Sequence, residues 1–426
     1  MGGPPEASGT HSRLWHRTLL LVIAAALLAV GFAVGLPSGP ATLAPAPVLS
    51  GLERAGNVSL ARDCGYSAPL PANPRRSLWL FCDTPVYVRR ETASGHLTWA
   101  LRQFIPGSTA AEGRAVAGAS PARRAPGQLS EVNTPRLGAG AAPGGAPASG
   151  GLPAAGDAPA PFLLRPAGLV TTSGLPCGDG DGSYAASWIS GLARVPATPY
   201  LLIAFNNYCV LSGTGGLLPE GFGLAEYDPA TGTLSNEAVV FSGVNLAVAA
   251  AAKLLGSPVF SGRYLYLFGP TCTALAHGGC ATGRLFEARV PATPLAWTDP
   301  LSYQWQSRGV PGSWTPDAAA ATSIIAGARP SAVSVADVPA AGRHFVMVEQ
   351  TDISGAFTVY ESPAPGGTWH RMTSGRVPCR PSTGFLNFCR AIIVHPELST
   401  STQLVLSYFD PGASARGHVM VAGFGW

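Results

Sequence analysis

Two aspartates, Asp63 and Asp83, stand where paired carboxyl groups could do acid–base chemistry. Each is next to a cysteine in a short segment that reads as a β-strand, and Asp83 follows an apolar run. If the two segments are neighbouring antiparallel strands, a bridge between Cys64 and Cys82 sets the carboxyl groups side by side. Burial beside a second carboxylate raises one pKa, and hydrolysis of a glycosidic bond needs one protonated and one ionised carboxyl group. The alternative interpretation is that Asp83 and Thr84 only cap a turn.

Further polar side chains lie at corresponding ends of later strand-like runs, and one tryptophan follows an acidic loop. Carboxylates and amides that converge at one end of a channel suit sugar recognition, and an indole ring can stack on a sugar face. Most tryptophans in a β-rich protein instead fill gaps between sheets, which is the alternative for this one. The candidates for substrate binding are Trp188, Asn206, Asn207, Asp352 and Asp410.

Sequence motifs for a cofactor are absent. The chain has no H-E-x-x-H, G-x-S-x-G, P-loop or G-x-G-x-x-G pattern, and its 8 histidines are scattered. This disfavours zinc hydrolases, α/β-hydrolases and nucleotide enzymes. The loop Gly178–Gly182 offers the carboxylates and carbonyls that Ca²⁺ prefers, although such a sequence is typical of a solvated turn. We predict no cofactor and no metal, with calcium at this loop as the alternative.

The N-terminal region carries an apolar run, Thr18–Leu36, which follows Arg13 and Arg17. At about 1.5 Å per residue the run is long enough to cross a hydrocarbon core of roughly 30 Å as a helix. The basic residues before it place residues 1–17 in the cytoplasm and the rest of the chain outside, after a Pro/Ala/Gly linker at 37–50. The segment is predicted to be a transmembrane anchor or a cleaved signal peptide, and a buried core helix is the alternative.

Export explains the cysteines. An even number of cysteines in an exported chain indicates disulfides, although eight allow about a hundred connectivities. They fall as four pairs of sequence neighbours, and each bridge would stabilise the fold by roughly 2–4 kcal/mol. Zinc ligation, the competing interpretation, lacks any C-x-x-C spacing. The predicted bridges are Cys64–Cys82, Cys177–Cys209, Cys272–Cys280 and Cys379–Cys389.

The rest of the chain, 51–426, reads as an all-β domain. Its 53 glycines and 40 prolines disfavour a helical bundle, because both residues break helix interiors. A Gly/Ala/Pro-rich stretch at about 107–161 is predicted to be a disordered insertion, since it cannot bury enough apolar area to offset its ordering entropy. Five other runs are continuously apolar, which indicates strands buried on both faces. These runs are Ser77–Thr84, Tyr200–Phe205, Arg263–Phe268, His344–Val348 and Gln403–Tyr408.

Five modules of about four strands, each with one strand buried on both faces, are what a five-bladed β-propeller requires. The alternative fold is a two-sheet sandwich with long insertions. The net charge of +4 is dispersed along the chain, whereas a nucleic-acid-binding protein concentrates its basic residues. We therefore predict no nucleic-acid partner.

Two segments near the start of this domain, Arg62–Ser67 and Leu78–Thr84, resemble the opening blade of a family of actinobacterial secreted propellers, long described as domains of unknown function. That family includes endo-D-arabinan hydrolases. Later segments are similar too, and together they cover most of Leu52–Trp426 apart from the insertion. They are Ser261–Phe268, Ser302–Trp305 with Gly312–Trp314, Tyr360–Pro363 with Gly367–Trp369, and Leu404–Asp410.

The resemblance implies a five-bladed propeller with an inverting-type carboxylate site near its channel. Asp63 and Asp83 match the motif positions and are carried over as the catalytic pair, without assignment of acid and base. Cys64 and Cys82 depart from the family pattern, which commonly has glycine at both positions. We expect a disulfide this close to both aspartates to alter the geometry of the site relative to the family pattern.

The sequence thus predicts an extracytoplasmic protein, membrane-anchored or secreted, that acts on cell-envelope arabinan or a related polysaccharide. As an enzyme it would be a glycoside hydrolase of the endo-arabinofuranan type. The alternative is a non-catalytic propeller of the envelope that binds glycan or another protein. The predicted partners are cell-wall polysaccharide and, through the N-terminal helix, the membrane, while the oligomeric state stays open.

Overall fold

The computed structural model describes residues 41–114, 129–137, 159–163, 166–171, 174–178, 182–211, 216–242, 254–276, 279–307, 311–339, 342, 345–380, 388–413 and 416–425. All of them belong to one compact unit, Gly39–Trp426. The predicted membrane or signal helix, 18–36, and the residues before it lie outside the described part. Within the described part, no helix is long and apolar enough to cross a membrane.

The described residues are almost entirely β-structure, which confirms the all-β prediction. The strands of the first half are β1 (Ala41–Pro47), β2 (Val58–Leu60), β3 (Cys64–Leu70), β4 (Asn73–Phe81), β5 (Thr84–Glu91), β6 (Leu97–Ile105), β7 (Thr109–Arg114), β8 (Ser130–Glu131), β9 (Arg136–Leu137), β10 (Tyr184–Arg194), β11 (Leu201–Val210), β12 (Leu217–Asp228) and β13 (Thr233–Ser242). Those of the second half are β14 (Gly256–Ser261), β15 (Tyr264–Ala276), β16 (Gly279–Pro291), β17 (Gln304–Gln306), β18 (Trp314–Thr315), β19 (Ala332–Asp337), β20 (Phe345–Gln350), β21 (Ala356–Ser362), β22 (His370–Arg376), β23 (Arg390–Val394), β24 (Gln403–Asp410) and β25 (His418–Gly425). Among the described residues, helices are limited to the short turns Gly51–Arg54, Pro294–Trp297, Pro300–Ser302 and Ala318–Ala320.

Five sheets of four or five strands follow one another along the chain. They are β3-β4-β7-β8, then β10-β11-β12-β13 with β9 at its edge, then β14-β15-β16-β17-β18, then β19-β20-β21-β22, and last β23-β24-β25-β1. A sixth sheet has three strands, β2-β5-β6, and its strands β5 and β6 lie between β4 and β7 in the sequence. The neighbours within the five sheets are antiparallel, except that β9 runs parallel to β13.

The second strand of every one of the five sheets is one of the apolar runs singled out in the sequence. These strands are β4, β11, β15, β20 and β24. All eight residues of β24 and all six of β20 are buried. Since a strand's side chains alternate between its two faces, a run without alternation must be covered on both sides. The sequence pattern therefore located the central strand of each sheet.

The first strands of the five sheets contact one another in a closed order, from β3 to β10, β14, β19, β23 and back to β3. A cavity of about 540 Å³ lies between them and is lined by residues of all five strands. Its walls include Ser67–Pro69, Gly191–Arg194, Ser257–Phe260, Ser334–Asp337 and Ile393–Val394. The apolar clusters lie between successive sheets, so each sheet is packed on its neighbours through its two faces.

Two predicted boundaries were wrong. The linker assigned to 37–50 contains β1, which pairs with β25 and so completes the last sheet. The disordered insertion was placed from about residue 107, but Thr109–Arg114 form β7, and Ala110 and Ala111 are fully buried in the first sheet. Small side chains suit a strand that is packed between two sheets. The same alanines and glycine resemble a low-complexity sequence, so the strand was assigned to the insertion. Residues 115–128 and 138–158 lie outside the described part.

All four predicted disulfides are formed, and no cysteine is free. The bridges are Cys64–Cys82, Cys177–Cys209, Cys272–Cys280 and Cys379–Cys389. Each joins residues no more than 32 positions apart, so the pairing of sequence neighbours was correct. Disulfides form and persist in oxidising compartments, which indicates an extracytoplasmic protein.

Candidate functional site

Asp63 and Asp83 lie side by side at one end of the first sheet. Asp63 comes directly before β3, and Asp83 stands between β4 and β5. The start of β3 and the end of β4 are joined by the Cys64–Cys82 bridge, with Cα atoms 5.4 Å apart. They are also joined by a hydrogen bond in which the Cys82 amide donates to the Asp63 carbonyl at 2.9 Å. This is the antiparallel arrangement that the sequence predicted.

The Asp63 carboxylate is held by two donors. Its Oδ1 accepts from the Cys64 amide at 2.7 Å, and its Oδ2 accepts from Nε of Arg390 at 2.5 Å. Arg390 is in turn stacked over the rings of Phe388 and Phe409, with its guanidinium carbon 4.5 and 4.0 Å from their centres. Asp63 remains 22% exposed, so a carboxyl group of fixed orientation stays accessible at the end of the sheet.

The Asp83 carboxyl group has three donors, and they are divided unequally. Its Oδ1 accepts from the Gly107 amide at 2.8 Å and from Nε1 of Trp188 at 2.9 Å. Its Oδ2 accepts from the hydroxyl of Tyr184 at 2.5 Å. Gly107 comes from the return of the β5–β6 hairpin, whereas Trp188 and Tyr184 lie on β10 of the second sheet. The site therefore sits at the junction of two sheets.

Burial raises the pKa of Asp83 above its ordinary value of 3.8. Loss of solvation is the largest cause, and the charge of Asp63 acts in the same direction. The hydrogen bonds from Tyr184, Gly107 and Trp188 lower the pKa but do not cancel the effect of burial. The pair thus combines a carboxyl group that favours its protonated form with one that is paired to a guanidinium.

A cavity of about 200 Å³ lies against the half-cystines next to the two aspartates, although neither aspartate lines it. The Cys64–Cys82 bridge forms part of its wall, together with Tyr66, Trp188 and Tyr208. The rings of Trp188 and Tyr208 are 4.8 Å apart. Pockets for drug-sized ligands usually measure about 300–1,000 Å³, so this cavity has room for a single ring-sized group.

Asn206 also lines this cavity and is only 5% exposed. Its Nδ2 donates to the Leu255 carbonyl at 3.1 Å, while its Oδ1 is buried without a partner among the described residues. A buried acceptor without a donor is costly, and a ligand hydroxyl would satisfy it. Of the weaker candidates, Trp188 and Asn206 therefore reach the site directly.

The remaining weaker candidates have local partners. Asn207 is buried and accepts from the Ser187 hydroxyl at 2.8 Å. Asp352 caps the turn after β20, where its Oδ1 accepts from the Ser354 amide at 2.8 Å. Asp410 is 1% exposed and pairs with Arg380 at 3.1 Å. In the described structure, none of these three side chains has a hydrogen bond or an ion pair with the two aspartates.

Sequence reasoning missed Tyr184 and Arg390. Arg390 directly follows a half-cystine, as Asp83 does, and Asp63 directly precedes one. Charged residues next to strand-end cysteines are thus a signal that could have found Arg390. Tyr184 had no comparable signal, because only the contact between the first and second sheets brings its hydroxyl to Asp83.

No group of three or more potential metal ligands occurs among the residues that the structure describes. The acidic loop considered for calcium, Gly178–Gly182, has Asp179 and Asp181 outside that part of the chain. The calcium alternative therefore stays a prediction.

No family model matches the chain, and no curated protein matches it. Solved structures with a similar backbone include three glycoside hydrolases. The GH43_1 enzyme of Xanthomonas citri is 12% identical, with 90% of each chain covered and a TM-score of 0.42. A family 117 glycoside hydrolase of Zobellia galactanivorans is 8% identical, with 89% of each chain covered and a TM-score of 0.40. The α-L-arabinofuranosidase arb93a of Fusarium graminearum is 8% identical, covers 86% of this chain and 93% of its own, and has a TM-score of 0.38.

Proposed function

We propose that the chain is a five-bladed β-propeller that hydrolyses glycosidic bonds in cell-envelope arabinan or a related polysaccharide. Five consecutive sheets, the closed order of contacts among their first strands and the cavity between them support the propeller. The observation that carries the activity is the Asp63–Asp83 pair, in which two carboxyl groups are held by different partners. Trp188, which donates to Asp83, also lines the cavity next to the Cys64–Cys82 bridge.

Asp83 is the general acid in this proposal and Asp63 is the general base. Burial favours the protonated form of Asp83, which then has a proton to give to the oxygen of the leaving sugar. Asp63 is paired with the guanidinium of Arg390 and accepts a proton from the attacking water. One step thus consumes water, breaks the bond between the anomeric carbon and the glycosidic oxygen, and inverts the anomeric centre.

The cavity supports recognition of one sugar unit. Trp188 and Tyr208 present ring faces, and the free Oδ1 of Asn206 is an acceptor for a sugar hydroxyl. The arabinofuranosyl unit, the envelope location and export by the segment 18–36, as anchor or signal peptide, belong to the same proposal. The four disulfides favour the extracytoplasmic location.

The test is a product assay with the full chain on purified arabinogalactan and lipoarabinomannan. Released oligosaccharides are expected from the parent protein and are expected to fall at least about a hundredfold in Asp83→Asn and Asp63→Asn. Asp317→Asn is the matched control, since Asp317 is exposed and only caps a short turn. Equal product from Asp83→Asn and the parent would remove Asp83 from the mechanism.

One observation favours a second function, non-catalytic glycan binding. All four carboxylate oxygens of the pair already accept hydrogen bonds, as in a network that is built to stay fixed. In that case the folded, oxidised protein gives no product from either polysaccharide. It would still be retarded in a gel that contains arabinogalactan, and Trp188→Ala would abolish the retardation.

A further inference from the structure

The two oxygens of Asp83 differ in what their partners can do. The partners of Oδ1 are the Gly107 amide and the Trp188 indole, and both can only donate. A proton on Oδ1 would point at an N–H group and break at least one of these two hydrogen bonds. The partner of Oδ2 is the hydroxyl of Tyr184, which can donate or accept. Protonated Asp83 must therefore carry its proton on Oδ2.

A proton on Oδ2 reverses the hydrogen bond to Tyr184. The carboxyl group then donates to the phenolic oxygen, 2.5 Å away, and the hydroxyl of Tyr184 is left to donate to a third group. Tyr184 is half-buried, and its ring packs edge-on against Phe104, with ring centres 5.2 Å apart. The ring is thus held in place while the hydroxyl hydrogen can turn.

We propose that Tyr184 is a catalytic residue that delivers the proton of Asp83 to the leaving sugar. The proposal rests on the hydrolase function proposed above. As the glycosidic C–O bond breaks, the phenolic proton moves to the glycosidic oxygen and the Oδ2 proton moves to the phenolic oxygen. Tyr184 ends neutral and Asp83 ends as a carboxylate. The water that attacks the anomeric carbon gives its proton to Asp63, and exchange with solvent returns a proton to Asp83.

The charges around Tyr184 agree with a relay through the neutral phenol. Burial together with the carboxylates of Asp83 and Asp63 raises the pKa of Tyr184 well above its ordinary value of 10.0, and Arg390 acts in the opposite direction. The hydroxyl therefore keeps its proton at any working pH. It cannot act as a phenolate nucleophile, and transfer through it requires a proton from Asp83.

The test compares Tyr184→Phe with the parent on two classes of arabinofuranoside. In polysaccharide the leaving group is a sugar hydroxyl, which must be protonated as it leaves. In a dinitrophenyl arabinofuranoside the leaving group is dinitrophenolate, which leaves without protonation. We expect kcat/KM to fall at least about a hundredfold on polysaccharide and less than about threefold on the dinitrophenyl substrate. Equal losses on both substrates would show that Tyr184 only positions other groups, and no loss on polysaccharide would exclude it from the proton path.

Tyr360→Phe is the matched control. Its hydroxyl donates to Oε2 of Glu349 at 2.8 Å, so the variant loses a tyrosine–carboxylate hydrogen bond within the fourth sheet. We expect similar kcat/KM ratios for Tyr360→Phe and the parent on both substrates.

A second measurement separates this inference from the proposed function. In protein labelled with ¹³C at the tyrosine ζ carbons and aspartate carboxyl groups, the Tyr184 signal should shift with the same midpoint as the Asp83 signal, because the hydrogen bond reverses there. A shift at that midpoint in a protein that hydrolyses neither substrate would reject the hydrolase and keep the proton exchange. A Tyr184 signal that stays constant through the Asp83 midpoint would overturn the relay in an active or an inactive protein.

Discussion

The Nε atom of Arg390 donates to Oδ2 of Asp63 at 2.5 Å, across 327 positions of the sequence. Arg390 begins β23, the first strand of the last sheet, and Asp63 directly precedes β3, the first strand of the first sheet. The ion pair therefore spans the junction where the order of sheets closes. It also holds the proposed base in one orientation beside the acid.

Arg390→Met should reduce hydrolysis more than it reduces stability. The two side chains are 18% and 22% exposed, and partly exposed ion pairs contribute about 1 kcal/mol or less to the free energy of unfolding. Misplacement of a catalytic group by about 1 Å costs about a hundredfold in rate. We expect kcat to fall about 10- to 100-fold with little change in the denaturant midpoint, measured on the same preparation.

Arg380→Met is the control for this substitution. Arg380 forms an equivalent ion pair with Asp410, but it is 57% exposed and does not contact Asp63 or Asp83 in the described structure. Its kcat should equal that of the parent protein. Full activity of Arg390→Met would contradict the idea that the guanidinium fixes the base.

The Cys64–Cys82 bridge should be needed for activity as well as stability. It closes a loop with a sequence separation of 18, which corresponds to about 3 kcal/mol of unfolding free energy in the loop-entropy account. Replacement of both cysteines by alanine also frees the two strand ends that carry the aspartates. We expect a loss of about 3 kcal/mol in denaturant unfolding and a loss of at least tenfold in kcat/KM.

The Cys272–Cys280 bridge provides the comparison, because it lies on a hairpin of the third sheet. Its replacement by two alanines should lower stability and leave kcat/KM unchanged under conditions where the protein is folded. If both double variants lose stability and neither loses activity, the bridge at the site serves only the fold.

A larger share of the strands than of the candidate site residues could be predicted from the sequence. The continuous apolar runs identified the second strand of each sheet because burial on both faces leaves a pattern that a reader can see. Asp63 and Asp83 could be placed at the same end of the first sheet because a local hairpin and a disulfide join their segments. These contacts join residues fewer than 25 positions apart, so they can be predicted from the local sequence.

Tyr184 and Arg390 were missed for the opposite reason. Tyr184 is 101 positions from Asp83, and Arg390 is 327 positions from Asp63. Their roles follow from which sheets meet, which single-sequence periodicity does not encode. Thr109–Arg114 were misread because the alanines and glycine of β7 resemble low complexity, whereas small side chains are what a tightly packed strand position accepts.

Trp188→Phe tests how the hydrogen bonds set the pKa of Asp83. The indole Nε1 donates to Oδ1 of the carboxyl group and so lowers its pKa, and phenylalanine keeps a ring beside Tyr208 without that donor. Because the acid must be protonated, a higher pKa keeps the protein active to higher pH. We expect the basic limb of kcat/KM against pH to move up by about one unit, since a hydrogen bond to a charged group contributes about 1.5 kcal/mol or more.

Trp314→Phe is the control for the loss of an indole, since Trp314 packs on Arg289 in the third sheet. Its basic limb should coincide with that of the parent. A basic limb that moves to lower pH in Trp188→Phe would show that loss of the indole donor does not raise the pKa of the catalytic acid. The assignment of Asp83 as that acid would then fail.

Glu287 should make the fold less stable as the pH rises. The side chain is 1% exposed, and neither carboxylate oxygen has a partner among the described residues. Loss of solvation raises its pKa well above the ordinary 4.5, and Arg289 opposes this only in part. Because the raised pKa favours the protonated form in the folded state, the stabilisation is complete below pH 4.5. It is lost as the pH rises through the folded-state pKa.

Glu287→Gln should therefore raise the melting temperature at pH 8 and leave it unchanged at pH 4, because glutamine imitates the protonated acid. A gain of about 2 °C or more is expected, since 1 kcal/mol moves the midpoint of domains of 150–250 residues by about 2–4 °C. Glu349→Gln is the matched comparison. Glu349 is also buried, but its oxygens accept from the Arg329 amide at 2.6 Å and the Tyr360 hydroxyl at 2.8 Å. Glutamine there can accept from the Arg329 amide and donate to the Tyr360 hydroxyl, so this variant should not gain melting temperature at pH 8. A Glu287→Gln variant that melts lower than the parent at pH 8 would show that the carboxylate has a stabilising partner after all.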